Sequence, residues 1–329
     1  MKQDTGKTAE FRRLVFKDIL YGNYLPGSKL PTEREMAERC GISRITVRRA
    51  YSELEKNGIL ERRQGSGTFV AKHKSANPDS GNITALLISI GAPFALDFIR
   101  AMEKEVSRHG GLLVLRLTDD SAELEESAAI ELVEQGVRNL VIWPSGENFR
   151  SDTFARLRVL GSNMVFFDRM LPGDYADYVG VDNEDAMKVL FERAEDTSHP
   201  LFVTHSNRCY DSDFAREKSF RLECLKRNVE GRILRLPIEK EAEIPSGAFT
   251  DCSCIFAIND DMAKRLIPFT GQTPLFGIDG LYAEITSYRQ PMAEMAEKVV
   301  ELLYKQQDRE EQWYPRRIYI KGELHEKKQ

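Results

Sequence analysis

Hydrophobic positions along this chain follow two rhythms. Up to residue 58 they recur every three or four positions, and from residue 83 short apolar runs alternate with helical stripes. The first rhythm predicts helices. Phe11, Leu14, Val15, Ile19 and Leu20 form one stripe over 8–22, and YLPGSKLP (24–31) breaks it with two prolines and a glycine. Thr32-Glu33-Arg34-Glu35 is a capping box in which Thr32 caps a short helix over 33–39 and Glu35 reaches back to the cap. Cys40-Gly41-Ile42 closes that helix. Ser43 caps the next, whose buried stripe is Val47, Ala50, Tyr51 and Leu54, and Gly58 ends it.

ILERRQGSGTFVA (59–71) follows directly. Both flanks of its glycine-rich centre read as strands, so the glycines form a hairpin tip. A dinucleotide-binding loop needs a helix after the glycines and a third glycine, and neither is present. Two capped helices joined by a glycine turn and followed by a hairpin predict a winged helix-turn-helix. In that arrangement the second helix enters a DNA major groove with its N-terminal residues leading. Arg44, Ile45, Arg48 and Arg49 lie off the buried stripe, and arginine pairs bidentately with guanine edges or phosphates. The competing reading is a small helical subdomain with a solvated basic face.

The polar stretch 72–82 reads as a linker. Beyond it ITALLISI (83–90), LLVLRL (112–117), NLVIW (139–143) and MVFFD (164–168) read as strands, separated by helices over 96–109, 123–135 and 150–160. The stripe of the first of these helices is Leu96, Ile99, Met102 and Val106. A second series starts near Val179, with helices at 184–194 and 213–227 and strands at 200–204, 232–236, 254–258 and 274–278. Alternating strands and helices predict parallel sheets. The fold class is therefore α/β: a winged helix-turn-helix domain (1–71), a linker (72–82) and a parallel body of two lobes with a cleft between them (83–329).

Charge sharpens this division. The net charge is −5, yet residues 1–74 carry 16 Lys/Arg against 9 Asp/Glu, so the rest is strongly acidic. A basic head on an acidic body points to a polyanionic partner for the head. Cys40, Cys209, Cys224, Cys252 and Cys254 form neither a CxxC pair nor a metal-ligand spacing with histidine, which fits a reducing compartment. There is no run of 18 apolar residues and no apolar leader, so the expectation is a cytoplasmic protein with no membrane span. No HExxH, GxSxG or P-loop occurs, so no catalytic residue, metal or cofactor is assigned; a sugar-acting enzyme stands as an alternative.

PGSKLPTEREMAERCGISRITVRRAYSELEKNGILERRQGSGTFV resembles the winged-helix DNA-binding domain of the GntR family of bacterial transcription regulators, without gaps over about residues 10–71. The resemblance implies operator contacts from Arg34, Arg44, Thr46 and Arg48, with Gly65 at a wing tip in the minor groove. Ser43, Arg49 and Gln64 complete the candidate DNA-binding set. The body resembles the LacI-type effector domain, itself similar to periplasmic sugar-binding proteins. VFFDRMLPGDYADYVGVDNEDA (165–186), FAREKSF (214–220), CIFAINDDMA (254–263) and LFGIDG (275–280) carry that resemblance. The all-helical metal-binding, aminotransferase-like and chorismate-lyase-like bodies found on other GntR heads do not fit two α/β lobes of this length. The combination resembles the arabinose-responsive regulators.

That resemblance implies a small-molecule effector, a carbohydrate, held by Asp168, Arg216, Asn259 and Asp279, whose acceptors and donors suit a polyol. Phe94, Asp97 and Trp143 fall at strand ends facing the same cleft, and a tryptophan face covers a sugar ring. Blander roles compete: an Asp168–Arg169 pair, Trp143 in the core, Asn259 as a helix cap, Arg216 as a surface charge. The implied protein is a homodimeric repressor of double-stranded operator DNA, meeting its copy through the 165–180 region or the edge of the first lobe. The alternative is a body that only dimerises or takes a non-sugar effector.

Overall fold

The computed structural model describes residues 2–72, 82–91, 94–145, 151–206, 210–238, 244–245, 247–307 and 313–328. Most of the expected linker, Cys209, and parts of 91–98 and of the acidic stretch 237–253 lie outside them. The head consists of α1 (Lys2–Leu20), α2 (Glu33–Cys40), α3 (Arg44–Lys56), β1 (Leu60–Arg63) and β2 (Gly67–Val70). α1 buries Phe11, Val15, Phe16, Ile19 and Leu20, whereas Leu14 of the expected stripe faces outward. Phe11 stacks on Tyr51 of α3. The capping box forms: the Thr32 hydroxyl accepts from the Glu35 amide, and the Glu35 carboxylate accepts from the Thr32 amide at 2.8 Å. Gly41 then ends α2 at φ 65°, a left-handed turn that costs glycine no strain. The wing pairs antiparallel from Leu60–Val70 to Arg63–Gly67, and residues 27–30 hydrogen-bond alongside it, with the Gly27 amide donating to Val70 O at 2.8 Å.

The body opens with β3 (Ile83–Ile88), α4 (Ala95–Arg108), β4 (Leu112–Leu117), α5 (Ala122–Glu134), β5 (Asn139–Ile142), α6 (Ser151–Val159), β6 (Asn163–Phe167) and β7 (Asp177–Val181). It continues with α7 (Asn183–Arg193), β8 (Pro200–His205), α8 (Asp211–Arg227), β9 (Arg232–Leu236), β10 (Cys254–Ala257), α9 (Asp260–Thr270), β11 (Leu275–Asp279) and β12 (Thr286–Arg289). α10 (Met292–Gln307), β13 (Arg317–Ile320) and β14 (Glu323–His325) close the chain. One sheet runs β4-β3-β5-β6-β7-β13, parallel throughout; the other runs β9-β8-β10-β11-β12-β14, with β14 antiparallel to β12. Central strands are buried on both faces and flanked by helices, which is why they read as unbroken apolar runs.

Three expectations need correction. The strand near Val179 does not begin the second lobe: β7 pairs with β6 and β13 in the first sheet. α10 packs on α4, and β13 returns to the first sheet before β14 joins the second, so the chain passes between lobes three times. Second, α4 buries Phe98, Met102 and Val106 but leaves Leu96 outside, because the helix turns Ala95 and Phe98 onto the sheet. Third, the 165–180 region is not a surface: β6 and β7 are interior strands, and only residues 172–174 are exposed.

The head rests on the first lobe. Head side chains of α1 and α3 and first-lobe side chains of α5 and α6 form one apolar cluster. Around it, Arg12 is held between Glu53 of α3 (2.5 Å) and Glu134 of α5 (2.8 Å). Asn57 donates to Glu134 O at 2.8 Å, Arg138 donates back to Asn57 O, and Arg156 donates to Leu20 O at 3.1 Å. Gly136 sits so close that an added Cβ would lie 3.1 Å from the Asn57 side chain.

Candidate functional site

The head gathers its candidate residues around the start of α3. Ser43 caps that helix by accepting from the Thr46 amide at 3.1 Å. The hydroxyls of Ser43 and Thr46 share a second bond of 2.8 Å. Thr46 is therefore buried against its own cap, with only 2% of its surface exposed. Its side chain serves the helix start rather than an open groove-facing edge, contrary to the expectation. Arg44, Ile45, Arg48 and Arg49 are exposed, on the face opposite Val47, Ala50 and Leu54. Glu33 bonds Arg48 at 3.0 Å and lies 3.7 Å from Arg62, so the start of α2, the middle of α3 and the wing base meet in one ionic group. Arg34 pairs with Glu38 at 3.0 Å on the exposed side of α2. Gln64 and Gly65 form the wing tip, Gly65 at φ 72° with open space around it. These exposed ion pairs contribute little to stability.

Between the lobes lies a cavity of about 390 Å3, within the range of small-ligand sites. Its walls are the residues just beyond the C-terminal ends of parallel strands, where α/β sheets bind ligands. Ser89, Asp120, Trp143, Asp168 and Arg169 follow β3 to β6, and His205, Asn259 and Asp279 close β8, β10 and β11. Of the expected residues, Phe94, Trp143, Asp168, Arg216, Asn259 and Asp279 meet here. Asp97 does not: it lines an adjoining cavity of about 490 Å3 with Phe94 and Asp279, and lies 3.5 Å from Arg100 on the outer face of α4.

Asp168 holds a left-handed backbone at φ 61°. Its Oδ2 accepts from Trp143 Nε1 at 3.1 Å and its carbonyl from the Tyr178 hydroxyl at 3.1 Å. Its Oδ1 is buried and, among the described residues, has no partner, which leaves an acceptor ready for a hydroxyl. Asp168 does not pair with Arg169. Arg169 instead donates to Asp120 and to Pro144 O, both at 3.0 Å. Arg216 is buried, not a surface charge; it donates to Ile258 O at 2.8 Å and Asn183 Oδ1 at 3.2 Å, with a third nitrogen 3.8 Å from Asp279. Burial pushes the Asp279 carboxyl well above its ordinary range; Arg216 opposes this and Asp260 adds to it. Asn259 both caps α9, accepting from the Met262 amide at 2.8 Å, and lines the cavity.

Trp143 is nearly buried, as its bland reading holds, yet it borders the cavity. Its expected part as a bare platform needs correction. The Arg169 guanidinium lies 3.9 Å from the centre of its ring and 3.4 Å from that of Tyr210, so it is layered between the two. Phe94 meets the same indole edge-on. A sugar ring stacks on Trp143 only after Arg169 moves.

Sequence reasoning missed Asp120 and Tyr210. Tyr210 donates to Asp120 Oδ2 at 2.7 Å across the cleft mouth. Beside it Asp211 of the second lobe is bonded to the Met170 backbone of the first, and burial lifts its carboxyl to about 6. The available signal was position: Asp119-Asp120 directly follows β4, as Asp168 follows β6. Asp120, Asp168 and Asp279 all take positive φ (59°, 61° and 136°), and such strain concentrates at functional sites.

Residues 10–70 match the profile of the bacterial regulatory proteins of the gntR family. The arabinose metabolism transcriptional repressor of Geobacillus stearothermophilus is 32% identical over 147 residues, 44% of this chain and 40% of that protein. The match thus spans well under two thirds of this curated relative. The ribose-bound LacI family transcriptional regulator from Enterococcus faecium superposes with a TM-score of 0.61, covering 74% of this chain and 98% of that one at 18% identity. A periplasmic binding protein/LacI transcriptional regulator from Alkaliphilus metalliredigens QYMF, complexed with D-xylulofuranose, gives a TM-score of 0.62, covering 75% and 98% at 18% identity. The body therefore has the periplasmic-binding-protein-like fold of LacI-type regulators. The chain joins this body to a GntR-type winged-helix head.

Proposed function

We propose that this protein is a ligand-responsive transcription regulator of the repressor type. Its winged helix binds double-stranded operator DNA, and its interlobe cleft binds a polar small molecule, a carbohydrate. The observation that carries the reading is the union of two parts in one chain. One is a winged helix whose second helix exposes Arg44, Arg48 and Arg49; the other is a cleft where the free Asp168 oxygen and the Arg216 guanidinium face one cavity. Relatives are named as repressors of sugar metabolism, and LacI-type neighbours hold pentoses. The protein acts as a homodimer: β4 is a sheet edge exposing Leu112, Leu115 and Leu117, an apolar strip that a second copy covers. Closure of the cleft on ligand changes the spacing of the paired heads, which requires unequal ligand affinity in the DNA-competent and DNA-incompetent arrangements. We read it as a regulator acting in the cytoplasm rather than as an enzyme, in line with relatives named as transcriptional repressors. Among the described residues no helix is long and apolar enough to cross a membrane.

The test is fluorescence anisotropy on DNA from upstream of the protein's own gene, at roughly 50 to 200 mM salt, where phosphate contacts are salt-sensitive. Binding is expected, and R44A and R48A should each weaken it by about 1–3 kcal/mol where the arginine reads a guanine. No binding at low salt overturns the reading. A thermal-shift screen against monosaccharides, disaccharides, sugar phosphates and nucleosides then names the effector class, since a ligand of the folded state raises the Tm with concentration. A body that only dimerises gives DNA binding and no shift, and turnover of a bound sugar would restore the enzyme alternative.

A further inference from the structure

Helix α5 touches both ends of the problem. At its N-terminal end, Ser121 caps it and Asp120 immediately precedes the cap. Asp120 is the residue that holds Arg169 at 3.0 Å and Tyr210 at 2.7 Å across the cleft mouth. One turn in, Glu125 accepts from the Ser145 amide at 2.8 Å, next to the Pro144 carbonyl that also binds Arg169. At its C-terminal end, Glu131 bonds Arg13 at 3.3 Å and Glu134 bonds Arg12 at 2.8 Å, both in α1 of the head. The Glu134 carbonyl takes the Asn57 side chain just beyond α3. Thirteen residues of helix span about 20 Å. Between its ends α5 is buried through Ala128, Ala129, Leu132 and Val133, so it moves as a body rather than bending.

We propose that α5 is the coupling element of the molecule, with Asp120 as the positioning residue that reports the state of the cleft to the head. Tyr210 belongs to the second lobe, so any ligand that shifts the lobes or displaces the Tyr210 hydroxyl breaks its bond to Asp120. The α5 N-terminus then loses its cross-lobe tether. Its far end carries Glu134, which is 2% exposed and meets the head through one interlocked set of arginine and amide bonds. A small displacement of α5 therefore breaks that set rather than stretching it, because packed interfaces switch between discrete arrangements. The ligand linkage is the route through which the regulator proposed above would respond, and the inference rests on that reading for its purpose.

The experiment needs neither ligand nor operator. Hydrogen–deuterium exchange is measured on the full-length protein and on D120N, Y210F, R12Q and E326Q. R12Q loosens the head directly and defines the signature in peptides covering residues 9–20 and 50–60. D120N and Y210F should reproduce it, with several-fold faster exchange in those peptides and in 130–138. E326Q removes one carboxylate charge from a second-lobe ion pair with Arg193 and should leave the head at the wild-type rate. The proposal is overturned if D120N and Y210F change exchange only around the cleft while R12Q alone releases the head. A protein that fails to bind DNA would defeat the regulator reading and leave this measurement intact, so the two failures are distinguishable.

Discussion

Glu125 is a carboxyl buried where a charge is costly. It is fully buried on α5, with one carboxylate oxygen bonded to the Ser145 amide and the other without a partner among the described residues. Burial lifts its pKa to about 8, with Arg169 opposing the shift and Asp120 adding to it. A carboxyl raised in the folded state binds more protons folded than unfolded from about pH 4.5 to about 8. Its contribution is therefore complete at the acid end of that window and is lost as pH rises through it. E125Q removes the ionising group while keeping an acceptor for Ser145. Its stability relative to wild type should grow by roughly 2–4 kcal/mol from pH 5 to pH 8, read by urea unfolding at each pH. A gap independent of pH would refute the assignment. At this scale the site was half legible. Asp168, Asn259 and Asp279 stand at or just beyond strand ends and Arg216 within α8, all in the segments that carry the resemblance to LacI-type bodies, so their convergence could be expected. Asp120 and Tyr210 acquire meaning only through each other, 90 positions apart and in different lobes, and no local pattern records such a pairing.

Elements show the opposite balance. Several interior parallel strands were legible nearly to the residue because burial on both faces leaves an unbroken apolar run, as in β5 and β6; interior β12, TSYR, has no such run and was not anticipated. The caps were legible because the side chains that satisfy the first helical amides are chemically restricted. Ser43 illustrates their worth: S43A deprives the Thr46 amide of its acceptor and Thr46 of its hydroxyl partner. The variant should lose about 1 kcal/mol of stability in urea unfolding. It should also weaken DNA binding, since the cap sets the first turn that carries Arg44. An S43T change should restore both; failure of restoration would show that the hydroxyl is not what matters. Less legible were the helical faces. Leu14 and Leu96 fit an apolar stripe yet point outward, because the face a helix buries is set by its neighbours and not by the most apolar spacing available. The short strands β13 and β14 were not anticipated, since an edge strand of three or four residues with half its side chains exposed leaves little periodic signal.

Across the whole molecule, the unpaired edge at β4 makes a definite demand. L115D puts a charge in the centre of the exposed leucine strip, without disturbing the buried side of the sheet. Sedimentation velocity should show the dimer shifting to monomer, with DNA affinity falling as the paired heads separate. An unchanged dimer would move the interface elsewhere. The lobes themselves were legible as two α/β series, but their boundary was not, because the chain's return to the first sheet is a long-range event. That return has a consequence for how the protein is made. α10 covers the first lobe with Met295, Val299, Leu302 and Leu303, and β13 supplies the last strand of its sheet beside β7. During synthesis the first lobe is the earlier half of the body to leave the ribosome, yet β7, paired with β6 on one side, waits with its other edge open until residue 320 has followed. The second lobe, apart from β14, is complete before then. The half that touches the head thus begins first and closes late, and the nascent chain carries an open apolar edge for more than 130 residues of elongation, from Val181 to Ile320, the kind of exposed strand edge that invites aggregation before folding is complete.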